Sequence, residues 1–346
     1  MKKKTTLNDI AKTLKLTKVS ISKALRDHPD ISEQTRIKVK QLAQEMGYRP
    51  NLIARSLTSS KSKTIGVVVP KIAHNFFAHV VGGIQKIADK YDYEILLTVS
   101  DENEELEKQH IESLVAMQVD GLLVSVSMET KNTEIYQWIR EMQIPLVFFD
   151  RYIPDLGFNS VIINDKEAAR NGVEEMIMRG SKKIAHLAGY EHISIGKERR
   201  LGYKDALEKQ GIEYDPSLVV EGGFGENSGY HGFKELASRG VEFDSIFAVT
   251  FPVGLGSYIA MREVDANMID NIAMLAFGDS GVRGILPYPR YYVDQPGMDI
   301  GKKATELLLK EINGVVEPEN KLVYMDTQFV ETGKNFPVSE KNLLMT

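Results

Sequence analysis

The sequence predicts two unlike folds in one chain: a small all-α helix-turn-helix domain, then an α/β body of two lobes with parallel sheets. Three observations carry that expectation. The 346 residues exceed one ordinary domain and suit a small module plus a larger body. Charge is divided along the chain. Residues 1–63 hold fifteen Lys and Arg against five Asp and Glu, a net of +10, while the whole chain is −5, which leaves −15 for residues 64–346. Apolar residues recur at helical spacing in the first fifty residues, and from Thr64 onward short apolar runs alternate with helical stretches. The expected division is a helix-turn-helix domain over 1–49, a connecting segment over 50–63, and the α/β body over 64–340.

The first helix is expected to start at Thr6-Leu7-Asn8-Asp9, where Thr6 caps free N–H groups and Asp9 reaches back. Leu7, Ile10, Ala11 and Leu14 then form one apolar stripe. After a break at Lys15-Leu16, Thr17 caps a second helix, Lys18 to Leu25. It turns Ile21, Ala24 and Leu25 inward and Lys18, Val19, Ser22 and Lys23 outward. No acidic residue stands on that outer face. Two short helices so tightly joined form the helix-turn-helix pattern, whose second helix enters a DNA major groove. A third helix opens at Asp30-Ile31-Ser32 and runs to Met46, with Gly47 as its left-handed stop. A basic module with this patterning points to a polyanion, because each Lys or Arg near a phosphate displaces a condensed counterion.

In the body, Ile65–Val69, Ile95–Leu97, Gly121–Val124 and Pro145–Phe149 read as buried strands, with helices over Val80–Tyr91 and Ile135–Met142 between them. A second series follows at Val161–Ile163, Lys183–Leu187, Leu218–Val220, Ser245–Val249 and Ala273–Phe277. Strand–helix alternation implies parallel sheets covered on both faces. Hydrophobic residues make up 42% of the chain, enough for such cores.

Several chemistries are excluded or disfavoured. There are no cysteines, so neither disulfides nor thiolate catalysis are available. The basic start Met1-Lys2-Lys3-Lys4 is not followed by an apolar run, and no stretch reaches membrane-spanning length; a cytoplasmic protein with no membrane partner is expected. Gly254-Leu255-Gly256 and Gly222-Gly223-Phe224-Gly225 hint at phosphate loops, but neither completes a dinucleotide fingerprint. The seven histidines show no metal spacing, so neither catalysis, nor a cofactor, nor a metal is expected. An architectural DNA binder would not need so large an acidic body.

The ordered segments Thr6–Ala11, Leu16–Leu25, Ile31–Arg36 and Met46–Asn51 resemble the LacI/GalR family of bacterial repressors. The resemblance implies that Lys18, Val19, Ser22 and Lys23 read base edges and that Thr17 and Ser20 anchor phosphates. Pro50–Leu57 resembles the family's hinge helix. Asn51, Ala54 and Arg55 would meet DNA there, and Leu57 would wedge into the minor groove. Such a segment is too short to be helical alone and is expected to fold on DNA. Across the body the similarity is to the type I periplasmic-binding-protein-like sensor of the same family. It implies three crossings between lobes, near 162–164, 291–294 and 323–327. The N-lobe would hold about 64–162 and 293–324, the C-lobe about 163–292 and 325–340.

Matched to the family's ligand positions are Phe76, Phe77, Asp150, Arg151, Arg199, Phe224 and Asp279. Carboxylates accept paired hydroxyls, guanidiniums donate in a fork, and rings stack on C–H faces, a set suited to a polyhydroxylated ring. The chain departs from the family at Thr250-Phe251-Pro252-Val253, where Asn-Asp is usual, and at Asn164-Asp165, where Asp-Asn is common. After Phe336 no leucine heptads follow. The expected partners are therefore a double-stranded DNA operator, a small sugar-like effector and a second copy in a homodimer. A purine or a co-repressor protein is the alternative signal.

Overall fold

The computed structural model describes residues 5–48, 61–278, 290–315 and 322–332. The chain divides into two compact units, Met1–Ser62 and Lys63–Thr346. The hinge residues Asn51, Ala54, Arg55 and Leu57, the effector candidate Asp279 and the tail beyond Phe336 lie outside the described residues.

The first unit is three helices: α1 (Leu7–Leu14), α2 (Lys18–Leu25) and α3 (Glu33–Glu45). Their limits follow from caps. Thr6 and Asp9 close a reciprocal box: the Thr6 N–H donates to the Asp9 carboxylate at 2.8 Å and the Asp9 N–H to the Thr6 hydroxyl at 3.4 Å. Lys15 takes a left-handed φ of +53° and turns the chain into α2, and Gly47, at +64°, stops it after α3. Ile10, Ala11, Ile21, Ala24, Val39 and Ala43 form the buried core, so each helix gives it two residues.

The second unit is two six-stranded sheets. The N-lobe sheet has β1 (Thr64–Val69), β2 (Glu94–Val99), β3 (Gly121–Val124), β4 (Leu146–Phe149), β5 (Asn159–Ile163) and β11 (Leu322–Met325), in the order β11-β5-β4-β3-β1-β2. The C-lobe sheet has β6 (Ile184–Gly189), β7 (Val219–Gly222), β8 (Ser245–Ala248), β9 (Ala273–Phe277), β10 (Tyr291–Asp294) and β12 (Gln328–Glu331), in the order β12-β10-β9-β8-β6-β7. Every pairing is parallel except β10 with β12. The expected fold class, a helical module plus a two-lobed α/β body, is what is found.

Helices of the N-lobe are α4 (Asn75–Lys90), α5 (Glu104–Ala116) and α6 (Glu134–Glu141); those that follow are α7 (Asp165–Met178), α8 (Ser194–Lys209), α9 (Glu226–Ser238), α10 (Phe251–Val264), the short α11 (Met268–Asn271) and α12 (Gly297–Ile312). The first body helix begins at Asn75, five residues before the expected Val80. This difference puts Phe76 and Phe77 in its first turn instead of a loop.

The crossings correct the expected lobe limits by one or two residues each. Ile163 and Met325 are paired with each other in the N-lobe sheet, not the C-lobe. Val293 and Asp294 belong to the C-lobe, because β10 stays in register with β12 as far as Asp294 opposite Gln328. The passage into α12 comes at Gln295-Pro296. β10, β11 and β12 are strands that the sequence pattern does not announce.

Gly254-Leu255-Gly256 is no phosphate loop. It lies within α10, where a Cβ on Gly256 would sit 1.8 Å from the Glu226 carbonyl oxygen, and one on Gly229 of α9 would sit 1.9 Å from that of Val253. Glycine thus lets α9 and α10 pack backbone to backbone. Gly256→Ala is expected to cost about 1–3 kcal/mol of stability through overpacking, read as a lower urea midpoint; an unchanged midpoint would mean the helices separate freely. Among the described residues no helix is long and apolar enough to cross a membrane.

Candidate functional site

A cavity of about 160 Å³ opens in the second unit, roughly ten times what one water needs by this measure. Its walls come from the carboxyl ends of strands, where open α/β sheets place ligands. Ala73–Phe77 follow β1, Asp150 and Arg151 follow β4, Phe224 follows β7 and Thr250–Pro252 follow β8; Phe277 ends β9, Gln295 follows β10, and Ile195 and Arg199 come from α8. Six of the seven effector candidates, Phe76, Phe77, Asp150, Arg151, Arg199 and Phe224, are brought to this one cavity.

The two arginines are not the open forks that the sequence suggested. Arg151 is buried and bidentate on Glu102, with Nη1–Oε2 at 2.7 Å and Nη2–Oε1 at 3.1 Å. Its guanidinium also lies over the Phe224 ring, 4.6 Å from the centroid. Arg199 is 1% exposed. It donates from Nε to Asp165 Oδ1 at 2.7 Å and from Nη1 to the Val249 carbonyl at 2.6 Å, and stacks over Phe277 at 3.9 Å. Among the described residues three buried donors in the cavity lining have no hydrogen-bond partner, Arg151 Nε, Arg199 Nη2 and Gln295 Nε2. Asp150 takes a left-handed φ of +61°, and its carboxylate stands 3.8 Å from Arg151 Nε. Burial pushes its carboxyl above the usual range, opposed by Arg151. Among the described residues no donor hydrogen-bonds to it. One buried carboxylate, the Arg151 Nε–H and the NH2 groups of Arg199 Nη2 and Gln295 Nε2 therefore remain for a ligand, against aromatic rings on several walls.

Several lining or supporting residues were missed by sequence reasoning. Glu102 stands in the acidic run Asp101–Glu105, which reads as solvated surface; consecutive left-handed φ values of +53° at Asp101 and +63° at Glu102 turn it to Arg151. Asn164 caps α7 by accepting the Glu167 N–H at 3.2 Å, which leaves the following Asp165 to face Arg199. At the departure from the family pattern, Thr250 donates its hydroxyl to the Phe224 carbonyl at 2.8 Å, and Phe251 stacks on Tyr292. That wall is apolar where a polar pair was the family expectation. His74 and Gln295 also line the cavity; burial holds His74 below the usual histidine range, and Gln295 Nε2 is a buried donor without a partner.

The buried carboxylate of Asp165 carries a pH signature. Burial pushes it up from 3.8 to about 6, against the pull of Arg199 and with help from Asp150 and Glu198. The folded state therefore holds this proton to higher pH than the unfolded chain. Its contribution to stability is full below about pH 4 and is lost as pH rises through about 6. His186, buried and pushed down to about 3, acts in the opposite sense, since the unfolded chain takes its proton first. In Asp165→Asn only the first contribution disappears. Stability between pH 4 and 6 is then expected to rise more steeply with pH than in the parent. Urea titrations at three pH values check this, and parallel pH profiles would rule it out.

In the first unit, the outer face of α2 presents Lys18 and Val19, the latter 66% exposed. Thr17 caps the helix, accepting the Ser20 N–H at 3.0 Å, with its hydroxyl 2.8 Å from that of Ser20. Ser22 is held by Arg26 through its carbonyl and hydroxyl, and Lys23 donates to Asp30 at 2.7 Å. Lys18 has no partner among the described residues. A lysine in a first turn with no acid opposes the helix dipole and concentrates positive potential at that end. A phosphate or guanine edge supplies the missing negative charge. Among the described residues no cluster of His, Cys, Asp or Glu is arranged to hold a metal.

Fold and cavity define a two-lobed ligand-binding body joined to a helix-turn-helix unit. Comparison with known proteins agrees. The family of bacterial regulatory proteins of the lacI type matches residues 6–51, and that of periplasmic binding proteins and the sugar binding domain of the LacI family matches residues 62–319. The chain belongs to the LacI family of bacterial transcriptional regulators. It is 29% identical to the HTH-type transcriptional regulator RegA of Clostridium saccharobutylicum, over 89% of this chain and 93% of that protein. It is also 29% identical to catabolite control protein A of Priestia megaterium, over 89% and 92%. Among solved structures, the transcriptional regulator CelR–cellobiose complex superposes with a TM-score of 0.71 at 26% identity, covering 95% of this chain and 100% of that one. The Lac repressor dimer bound to operator and the anti-inducer ONPF gives 0.83 at 22% identity over 96% and 99%, a likeness of fold.

Proposed function

We propose that the protein is a homodimeric, cytoplasmic regulator of carbohydrate-utilisation genes. It binds a pseudo-palindromic operator through α2 and the hinge, and its affinity for DNA is set by a small sugar-like effector in the cleft. The observation that carries the effector reading is the cavity itself: a buried Asp150 carboxylate to which no described residue donates, spare N–H donors on Arg151 and Arg199, and phenylalanine faces around them. Hydroxyls satisfy the polar groups and the C–H face of a sugar ring covers the rings. The CelR complex holds cellobiose, and a ribose operon repressor of Haemophilus influenzae is 26% identical to this chain, which supports the same ligand class here. The DNA reading rests on the free Lys18 and Val19 and on the net charge of +10 over residues 1–63.

The test is direct. Full-length protein and duplexes selected from a random pool are studied by fluorescence anisotropy across a salt series. Affinity is expected to fall steeply with salt. Lys18→Ala should weaken binding and reduce the salt slope by about one for each phosphate that is no longer neutralised. A salt-insensitive complex, or a Lys18→Ala protein identical to its parent, would count against this use of α2.

A further inference from the structure

The charges around the cavity go further than its shape. We infer that the cleft selects an uncharged ligand, and that Glu102 and Asp165 set this selectivity by occupying the two guanidinium groups from within. The inference rests on the carbohydrate reading above and narrows it.

A phosphate or carboxylate is usually held by a fork of parallel N–H groups on an arginine without an internal counter-ion. Neither arginine here offers one. Both Nη atoms of Arg151 are on Glu102, and its remaining Nε stands 3.8 Å from Asp150. Glu102 is fixed in turn, accepting the Met128 N–H at 2.8 Å. Arg199 carries its own counter-ion, with Nε on Asp165 Oδ1 and one Nη1 N–H on the Val249 carbonyl, so the two N–H groups left on Nη2 stand beside an internal carboxylate. Among the described residues, with all groups ionised, two guanidiniums face three buried carboxylates, and Glu226 adds a fourth in the lining. If Asp150 takes a proton, each guanidinium still keeps its own carboxylate. His74 adds no charge near neutral pH, since burial holds it below its usual value.

Helix N-termini work in the other direction, but weakly. Glu226 already complements the start of α9. The first turn of α10 carries Pro252, which has no N–H, and is capped by Thr250. The starts of α4 and α8 have no side-chain cap and no acid in the first turn. Each is worth about half a unit of positive charge, together no more than the excess of carboxylate. An anionic sugar entering this cleft would have to displace a buried carboxylate or face one unpaired. A neutral sugar needs only the spare N–H donors and Asp150.

The experiment is a calorimetric and thermal-shift panel on the full-length protein. Ribose, glucose, galactose, mannose and cellobiose are each compared with their phosphates and, for the hexoses, with the uronates. At least one neutral sugar is expected to bind, with its phosphate and uronate about a hundredfold weaker or more, as like charges brought together without water demand. Glu102→Gln, which frees Arg151, is expected to raise affinity for the phosphate about tenfold or more relative to the neutral sugar. A merely structural role for Glu102 would weaken both alike, and that result would overturn its part in selectivity. A parent protein that prefers a phosphate or uronate overturns the inference and leaves the carbohydrate reading standing. Silence toward every carbohydrate, with or without a response to a nucleoside, overturns both. If Glu102→Gln fails to fold, the parent panel decides alone.

Discussion

Arg199→Ala is expected to lower the unfolding free energy by about 3–5 kcal/mol near pH 7, because it strands a buried carboxylate. Asp165 and Arg199 are both almost fully inside the protein and share a 2.7 Å charge-assisted bond. The arginine also satisfies the Val249 carbonyl and covers the Phe277 ring. Removing it opens a void and leaves Asp165 without its cation. Since burial already holds Asp165 near 6, the mutant carboxyl should pick up a proton more readily still, and the loss should shrink at lower pH. Asp165→Ala in the same chain is expected to return part of the stability, a non-additivity typical of groups that touch. Urea denaturation of the two single variants and the double one checks this. Additive losses would mean the pair does not act as a unit.

Asp150→Asn should do the reverse: little harm to stability and a large loss of ligand affinity. Asparagine tolerates the left-handed backbone that Asp150 adopts. No described protein donor loses a partner, and burial already disfavours the charge. What disappears is the carboxylate that would accept ligand hydroxyls. Hydrogen bonds to a charged group are worth about 1.5–3 kcal/mol, or roughly ten- to a hundredfold in affinity. The measurement is calorimetry with whichever neutral sugar binds the parent, beside a melting curve. An unchanged dissociation constant would remove Asp150 from the site. The contrast between the two variants separates a residue that holds the cleft together from one that meets the ligand.

Much of the fold is legible in the sequence because its boundaries are written in single residues. Thr6, Thr17 and Ser32 cap the three N-terminal helices, and Gly47 stops the last. The central strands are continuous apolar runs, the mark of sheets buried on both faces. Strands β10, β11 and β12 escape a sequence reading because each is only four residues long and lies at or next to a sheet edge. Only β11 alternates in burial, and four residues are too few to register as a period. The start of the first body helix is hidden because the segment His74–Phe77 has no Ser, Thr or Asp cap to mark it; His74 makes no capping bond.

The site is legible as a set of positions and illegible as a set of partners. Six of the named effector candidates line one cavity, yet their chemistry is decided by residues far away in sequence. Glu102 meets Arg151 across 49 positions and Asp165 meets Arg199 across 34. No local pattern records such a pairing. Glu102 looks like any member of an acidic loop until the backbone turns it inward. The same holds on α2, where the outward face is readable but the pairing of Lys23 with Asp30 is not. That bond makes Lys18 the freer cation of the two.

Occupancy of the cleft is expected to change the grip of the N-terminal helices on DNA. The most direct measurement is the affinity of the full-length protein for one selected duplex, by anisotropy at fixed salt, with and without a saturating neutral sugar that stabilises the body. Coupling of this kind is typically about five- to 150-fold. The expected result is a shift of at least about fivefold in either direction, absent in Asp150→Asn at the same sugar concentration. A duplex affinity that stays the same while the sugar is demonstrably bound would contradict a regulatory role for the cleft.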